Sequence, residues 1–397
     1  MKAPNNLHNI VDVFLAFLKL GLTAFGGPIA HIGYFRTEFI IKRQWLSEQQ
    51  FSQLLAVTQF LPGPASSQMG FSIGLFRGGW LGAIAAFIAF TLPSALLLFA
   101  FAAIAHQLDN AIGMAIIDGL KLVAVAVVAH AVISMAQKLT PDWQRILIAL
   151  LSFAMLLIFK LAIMQIAVIV LGGLAGWFLC RQQQLSADFR FPVNYGKQTA
   201  WILFSLFMLL LILSLFAGSQ LNTTNMLAGF YQAGALVFGG GHVVLPLLEQ
   251  QTVATGWLTT DQFLTGYGAA QAVPGPMFTL ATYLGAEIPT QLPAGWNALL
   301  ATLAIFVPGF LLLLAILPLW QQLAHLPNAG AVVAGINAAV VGLLAAALYD
   351  PIFTEGVNHW LDLLIALGGF LIIFVLKRSA LWTVLFCVSA SIVVALV

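Results

Sequence analysis

Nine uninterrupted apolar runs, each close to the length a bilayer demands, govern what this chain can become. They lie at roughly 80–105, 112–136, 145–160, 163–180, 200–217, 296–320, 331–349, 360–376 and 380–397. A helix needs about 20 apolar residues to cross the hydrocarbon core, so the runs at 145–160 and 380–397 are short but usable. In lipid, backbone N–H and C=O groups must find partners within the protein, which leaves helices or closed barrels. Runs this long select helices. Composition agrees: 61% of the residues are hydrophobic and 7% are charged, where a soluble domain carries about 25% charged residues. The expected fold is an all-α polytopic membrane protein. Residues Met1 to Asn9 lack the pattern of a cleaved signal peptide, so the first apolar segment is expected to remain. Cys180 and Cys387 stand far apart in apolar runs, which gives neither a disulfide framework nor a metal motif.

Four further segments, roughly 12–34, 51–76, 226–248 and 262–286, are apolar but interrupted near the middle by Gly or Pro. The interruptions come in matched pairs. Phe25-Gly26-Gly27 recurs as Phe238-Gly239-Gly240 at an offset of 213. Trp45-Leu46, Gln50-Phe51 and Gln59 with Pro62-Gly63-Pro64 recur as Trp257-Leu258, Gln262-Phe263 and Gln271 with Pro274-Gly275-Pro276, all at 212. Gly79-Trp80 and Gly119 recur as Gly295-Trp296 and Gly335 at 216. An ordered series in register is the signature of internal duplication. Each copy holds two broken segments and then four helices. The expected division is a first repeat at 1–180, a polar linker with one connecting helix at 181–225, and a second repeat at 226–397.

Cytoplasmic loops retain Lys and Arg. If all thirteen segments cross, the basic loop Arg36, Lys42 and Arg43 falls outside. If the broken segments return to their own side, Lys2, Arg36, Lys42, Arg43, Arg77, Lys138, Arg145, Arg181, Arg190, Lys197, Lys377 and Arg378 all fall inside and only Lys160 outside. The second arrangement is favoured. Both give a cytoplasmic N-terminus, and in both the extra helix 200–217 turns the second copy upside down.

Inverted repeats with broken helices are a transporter plan, with substrate bound near the midplane. A half-helix starting there points free N–H groups and its positive dipole end at the site, which suits an anion. Pro62-Gly63-Pro64 followed by Ser66, Ser67 and Gln68 reads as a turn and a helix start, with Pro64 at the first helical position. The counterpart reads Pro274-Gly275-Pro276 with Thr279. The other pair of breaks is Gly26-Gly27-Pro28 with His31, and Gly239-Gly240 with His242. Lys19, Asp118 and Lys121 are expected at membrane depth, where ionisable groups commonly mark a pathway. Lys19 can also snorkel toward the cytoplasm, and Asp118 and Lys121, three residues apart, can neutralise each other. Arg77 could attract anions at the cytoplasmic mouth or simply anchor the topology. His130 reads as a core histidine, and His106, His325 and His359 lie at helix ends. There is no phosphate loop, nucleophile elbow, cofactor motif or nucleic-acid motif. The acidic residues are scattered in loops, which argues against an enzyme.

The Phe-Gly-Gly-Pro at 25–28 with its nearby His31, the Lys-Arg-Gln-Trp-Leu at 42–46 and the Gln-Phe-Leu-Pro-Gly-Pro at 59–64 resemble the chromate ion transporter family, over nearly the whole chain. The resemblance implies fused, oppositely oriented halves exporting chromate from the cytoplasmic membrane, with sulfate as the competing oxyanion. It implies functional positions at Gly26, Gly27, Pro28, His31, Trp45, Gln59, Pro62, Gly63 and Pro64, and at Gly239, Gly240, Trp257, Gln271, Pro274, Gly275 and Pro276. Gly241 replaces Pro28 in the second copy, and Val244 or a neighbour replaces His31, so the two halves are expected to act unequally. Ser66, Ser67 and the backbone at Gly26, Gly27 and Gly63 are expected to contact the anion, with Lys19 or Lys121 supplying charge. A passive anion channel is the alternative. The expected partners are the oxyanion and the lipid bilayer, with no cofactor and no nucleic acid; homodimerisation is left open.

Overall fold

The computed structural model describes residues 7–396 apart from 106, 109, 160, 161, 181–190, 325 and 327, with the backbone alone at 28, 29, 162, 163 and 324. Lys2, His106, Lys160, Arg181, Arg190 and His325, and most of the polar linker, therefore lie outside the described residues. The helices of the first half are α1 (Leu7–Thr23), α2 (Gly27–Phe35, continued by a π-helical stretch Arg36–Lys42), α3 (Glu48–Phe60), α4 (Ala65–Ala105), α5 (Ala111–Leu139), α6 (Trp143–Ile158) and α7 (Ala162–Leu179). After α8 (Lys197–Leu215) come α9 (Thr223–Leu236), α10 (Val244–Thr252), α11 (Thr260–Ala272), α12 (Leu280–Glu287), α13 (Ala294–Ile316) and the short α14 (Trp320–Ala324). The chain ends with α15 (Ala329–Ala347), a one-turn α16 (Thr354–Gly356), α17 (Trp360–Phe374) and α18 (Ala380–Leu396). Among the described residues there are five helices long and apolar enough to cross a membrane and four shorter apolar ones. Together they account for all nine unbroken runs.

The broken segments fold back at their breaks. The Phe17 ring centroid lies 5.7 Å from that of Phe35 and 4.9 Å from that of Phe39. At 1.5 Å per residue, a continuous helix would separate Phe17 and Phe39 by about 33 Å. Arg77, near the end of the second broken segment, lies 5.1 Å from the ring of Trp45, just before its start. In the second half Gly229 on α9 meets the side chain of Gln251 on α10. Gln262 donates to Glu287 at 3.2 Å, closing the ends of the α11–α12 pair. Each segment is thus a helical hairpin.

Helix α4 is not one straight rod. Gly79 at φ 65, ψ −156 turns the chain between an arm at 65–78 and an arm at 80–105. No L side chain sits comfortably at that geometry. The arms lie so close that Gly74 meets the Gly82 carbonyl.

The two halves are interwoven. Helix α5 packs along α17 and α18, while α15 packs along α6 and α7. Gly119 of α5 meets the backbone at Cys387 and Val388, and its counterpart Gly335 of α15 meets Gly172 and Gly176. Small residues let membrane helices approach to backbone contact, where dispersion rather than a hydrophobic drive holds them. Outside this core, Phe178, Ile202, Leu213 and Trp382 are exposed, the kind of apolar surface that lipid covers.

Candidate functional site

The four breaks meet each other across the halves. The Gly63 N–H donates to the Val237 carbonyl at 2.7 Å, and the Gly275 N–H donates to the Ala24 carbonyl at 3.0 Å. Ala24 and Val237 end the first helices of the two Gly-Gly hairpins. Gly63 and Gly275 are the middle residues of the two Pro-Gly-Pro turns. Each turn therefore caps the broken end of the other half, and the two bonds are counterparts by sequence offset. The geometry needs glycine: φ is +118 at Gly63 and +102 at Gly275. A Cβ at Gly63 would also stand 3.0 Å from the Gly309 Cα and one at Gly275 2.9 Å from the Ser94 hydroxyl. Both neighbours lie on long helices beside an internal proline, Pro308 in α13 and Pro93 in α4.

Around the first Pro-Gly-Pro turn the polar side chains are buried. Pro62, Gly63 and Pro64 are buried as well. Helix α4 begins at Ala65, one residue later than expected, and Pro64 accepts from the Gln68 N–H at 2.8 Å. Ser66 Oγ lies 3.3 Å from His31 Nδ1, and His31 Nε2 lies 3.2 Å from the Ala24 carbonyl oxygen. Ser67 Oγ, Ser72 Oγ and Gln68 Oε1 are buried without a hydrogen-bond partner. Buried polar atoms are nearly always satisfied, so orphans concentrated at a helix start mark a place for water or a ligand. Gln68 is less suited to an anion than its amide suggests. Its Nε2 donates to the Pro62 and Gly309 carbonyls, both at 2.9 Å, which ties the turn to α13.

The remaining expected positions distribute as follows. Gly26 and Gly239 are exposed and Gly27 and Gly240 half-buried, with open space over Gly27 and Gly240. Pro28 is the second residue of α2, and its side chain lies outside the described residues. Gln59 is exposed. Pro274 and Pro276 are buried; Gln271 donates to Met277 Sδ, and the Thr279 hydroxyl is engaged by the Pro276 carbonyl. His242 Nδ1 lies 2.8 Å from the Tyr267 hydroxyl.

The cations stand apart from this crossing. Lys19, expected at membrane depth, is more than half exposed and pairs with Glu38 at 3.5 Å. Glu38 is buried and also receives Arg43 at 2.8 Å and Lys42 at 3.8 Å. Burial raises the Glu38 carboxyl, but the Arg43 hydrogen bond and the charges of Lys19, Arg43 and Lys42 outweigh it and hold it below its ordinary value. Arg77 pairs loosely with Asp12 and, like Arg43, lies over the Trp45 ring. Lys121 is buried and held at 2.9 Å by both Asp118 and Asp261. The self-neutralising reading of Asp118 and Lys121 fits this geometry, extended by a third member. Glu38, Asp261 and the Gln68 bridge escape a reading by motif, because each acts through a partner far away in sequence. The one usable signal was the matched proline pair, Pro93 and Pro308.

Comparison with known proteins places these features in a lineage. The family model described as chromate transporter matches residues 11–177 and again 224–392. A chromate transport protein of Pseudomonas aeruginosa is 29% identical over 85% of this chain and 80% of its own. A probable chromate transport protein of Synechococcus elongatus is 30% identical over 84% and 82%. An uncharacterized transporter of Bacillus subtilis, YwrA, is 32% identical over 96% of its own length but 41% of this chain. No solved structure matches.

Proposed function

This chain belongs to the chromate transporter family, and we propose that it exports a tetrahedral oxyanion, chromate with sulfate as competitor, across the cytoplasmic membrane. The two halves lie inverted in the bilayer, with the N-terminus in the cytoplasm and the four hairpins re-entrant. Transport proceeds by alternating access to the crossing of the four breaks. One observation carries this reading: the reciprocal pair of bonds from Gly63 to Val237 and from Gly275 to Ala24. It brings the start of α4 to a single place, where the orphan Ser67 hydroxyl offers a donor. Neutral donors at a helix N-terminus hold an anion while leaving it free to depart.

Export also agrees with the membrane potential, since each charge crossing is worth ~2.3 kcal/mol per 100 mV and a dianion leaving an inside-negative cell gains about twice that. Lys19, Arg77 and the basic hairpin ends then form a cytoplasmic funnel rather than ligands. The alternative, a passive anion channel, uses the same crossing without closure.

The test is flux in proteoliposomes, with chromate, sulfate and molybdate in competition under an imposed potential and then a pH gradient. Accumulation against the electrochemical gradient excludes the channel. Parental rates in a Ser67→Ala variant would remove the proposed donor, and parental rates in Lys19→Ala and Lys121→Ala variants would remove any direct role for those charges.

A further inference from the structure

Helices α3 and α11 are counterparts at an offset of 212, yet they are packed differently. On α11 one helical face, Leu264, Tyr267 and Gly268 with half-buried Gln271, is covered. Gly268 lies directly against the Leu120 carbonyl of α5. At the first turn of α11, Asp261 reaches Lys121, the residue after Leu120. The same face of α3 reads Ser52, Leu55, Ala56 and Gln59. There Ser52 and Gln59 are exposed, and Leu55 and Ala56 are half-buried.

The surface that should receive α3 is also incompletely covered. The counterparts of Leu120 and Lys121, at an offset of 216, are Ile336 and Asn337 of α15. Both are half-buried, whereas Leu120 and Lys121 are buried. The Asn337 Oδ1 is buried and lacks a hydrogen-bond partner. An exposed stripe carrying Ser52 and Gln59 does not belong against lipid, where polar side chains turn to the protein interior or to a water-filled cavity. It faces water.

We propose that this structure is one of two alternating states, open to the cytoplasm and closed outside. In the other state the Ser52–Gln59 face of α3 docks on α15 at Ile336 and Asn337, while α11 leaves α5. The inference rests on the inverted-repeat reading given above. Under that reading each half can adopt the packing of its counterpart, so the Gly268–Leu120 contact defines an Ala56–Ile336 contact that forms on the opposite side. The two gates are chemically unequal. The outer one is latched by an ion triad of Asp118, Lys121 and Asp261, and the inner one brings together only the amides of Gln49 and Asn337. This difference biases the resting protein toward the cytoplasm, the side from which an exporter must load.

The experiment uses the full chain with Cys180 and Cys387 replaced, reconstituted in liposomes. Ala56→Cys and Ile336→Cys are introduced together, and disulfide formation is followed under mild oxidation. Backbone contact between α3 and α15 brings these positions within the 4.4–6.8 Å Cα separation that a disulfide needs. The expected result is slow cross-linking through the minor state. Cross-linking accelerates about three- to tenfold when Lys121→Asn and Asp261→Gln replace the outer latch with the inner gate's chemistry. A second measurement guards against a variant that fails to fold. Ser52→Cys in the Cys180- and Cys387-replaced chain with its latch intact reacts with an impermeant maleimide from the cytoplasmic side, and the same substitution added to the Ala56→Cys, Ile336→Cys pair is protected once that pair is oxidised.

No cross-link between 56 and 336, a rate indifferent to the latch in a folded variant, or an unreactive Ser52→Cys overturns the proposal. Oxyanion flux is measured in parallel. Flux without gate movement refutes this inference alone, and gate movement without flux refutes the assigned cargo alone.

Discussion

Replacing Gln68 tests how the Pro-Gly-Pro turn is held to α13. The side chain donates two buried hydrogen bonds, to Pro62 and Gly309, while its own Oε1 is buried and unpartnered. In Gln68→Leu two carbonyls lose a donor, at about 1–3 kcal/mol each if left dry, and one orphan acceptor disappears, returning about 1–3 kcal/mol. The net loss is about 1–3 kcal/mol. In Gln68→Glu the amide donor becomes an oxygen, so carboxylate faces carbonyl, and the loss exceeds that of the leucine variant. The assay is thermal unfolding of the purified protein in detergent, read as loss of the monodisperse peak. One kcal/mol moves the midpoint by about 2–4 °C in a chain of ~150–250 residues and by less in a longer one. The leucine variant should therefore fall by a few degrees and the glutamate variant by more. A leucine variant as stable as the parent, or a glutamate variant no worse than leucine, would show that the bridge to Gly309 does not hold the turn.

Other outcomes follow from the same contacts. Gly63→Ala and Gly275→Ala each force a side chain onto a positive φ and into a close neighbour, so both should lower the yield of folded protein, measured by fluorescence-detected size exclusion. Gly27→Ala, with φ +74 but open space around it, should cost less stability than either. His31→Ala should weaken oxyanion affinity and lower the midpoint together, because His31 positions Ser66 and Ala24. Glu38 has a folded-state pKa below its ordinary 4.5. Its contribution is fully present above that value and is lost as pH falls through the folded pKa. Unfolding midpoints of Glu38→Gln should therefore sit below the parent near neutral pH and converge with it under acid.

The nine membrane helices and four hairpin breaks were legible because each leaves a local mark: an apolar run, a Gly-Gly or a Pro-Gly-Pro. Gly26, Gly63, Gly239 and Gly275 all adopt positive φ, as residues at such breaks do. The charges were harder to read. Lys19 looks like an isolated intramembrane cation in a linear reading and Lys121 like half of a local pair with Asp118, because Glu38 and Asp261 lie 19 and 140 residues away and join them only through the hairpins. The fold-back at Gly79 was legible too, since Arg77-Gly78-Gly79 parts the broken segment ending at 76 from the apolar run that begins at 80. Under the two-state proposal the difference in packing between α3 and α11 belongs to one conformational state, and a sequence encodes both states at once.

The exchange of α5 and α15 between the halves has a consequence for how the chain is made. Helix α5 ends at Leu139, and α18, which covers it, begins at Ala380. At about 5–20 residues per second, the intervening 240 residues keep α5 waiting roughly 12–50 s. Throughout that interval its Gly119 face stands in the bilayer without the helix it fits. The insertion machinery, a chaperone or lipid must shield it until α18 is made. A nonsense mutation just ahead of α18 would strand α5 without the helix that meets its Gly119 face.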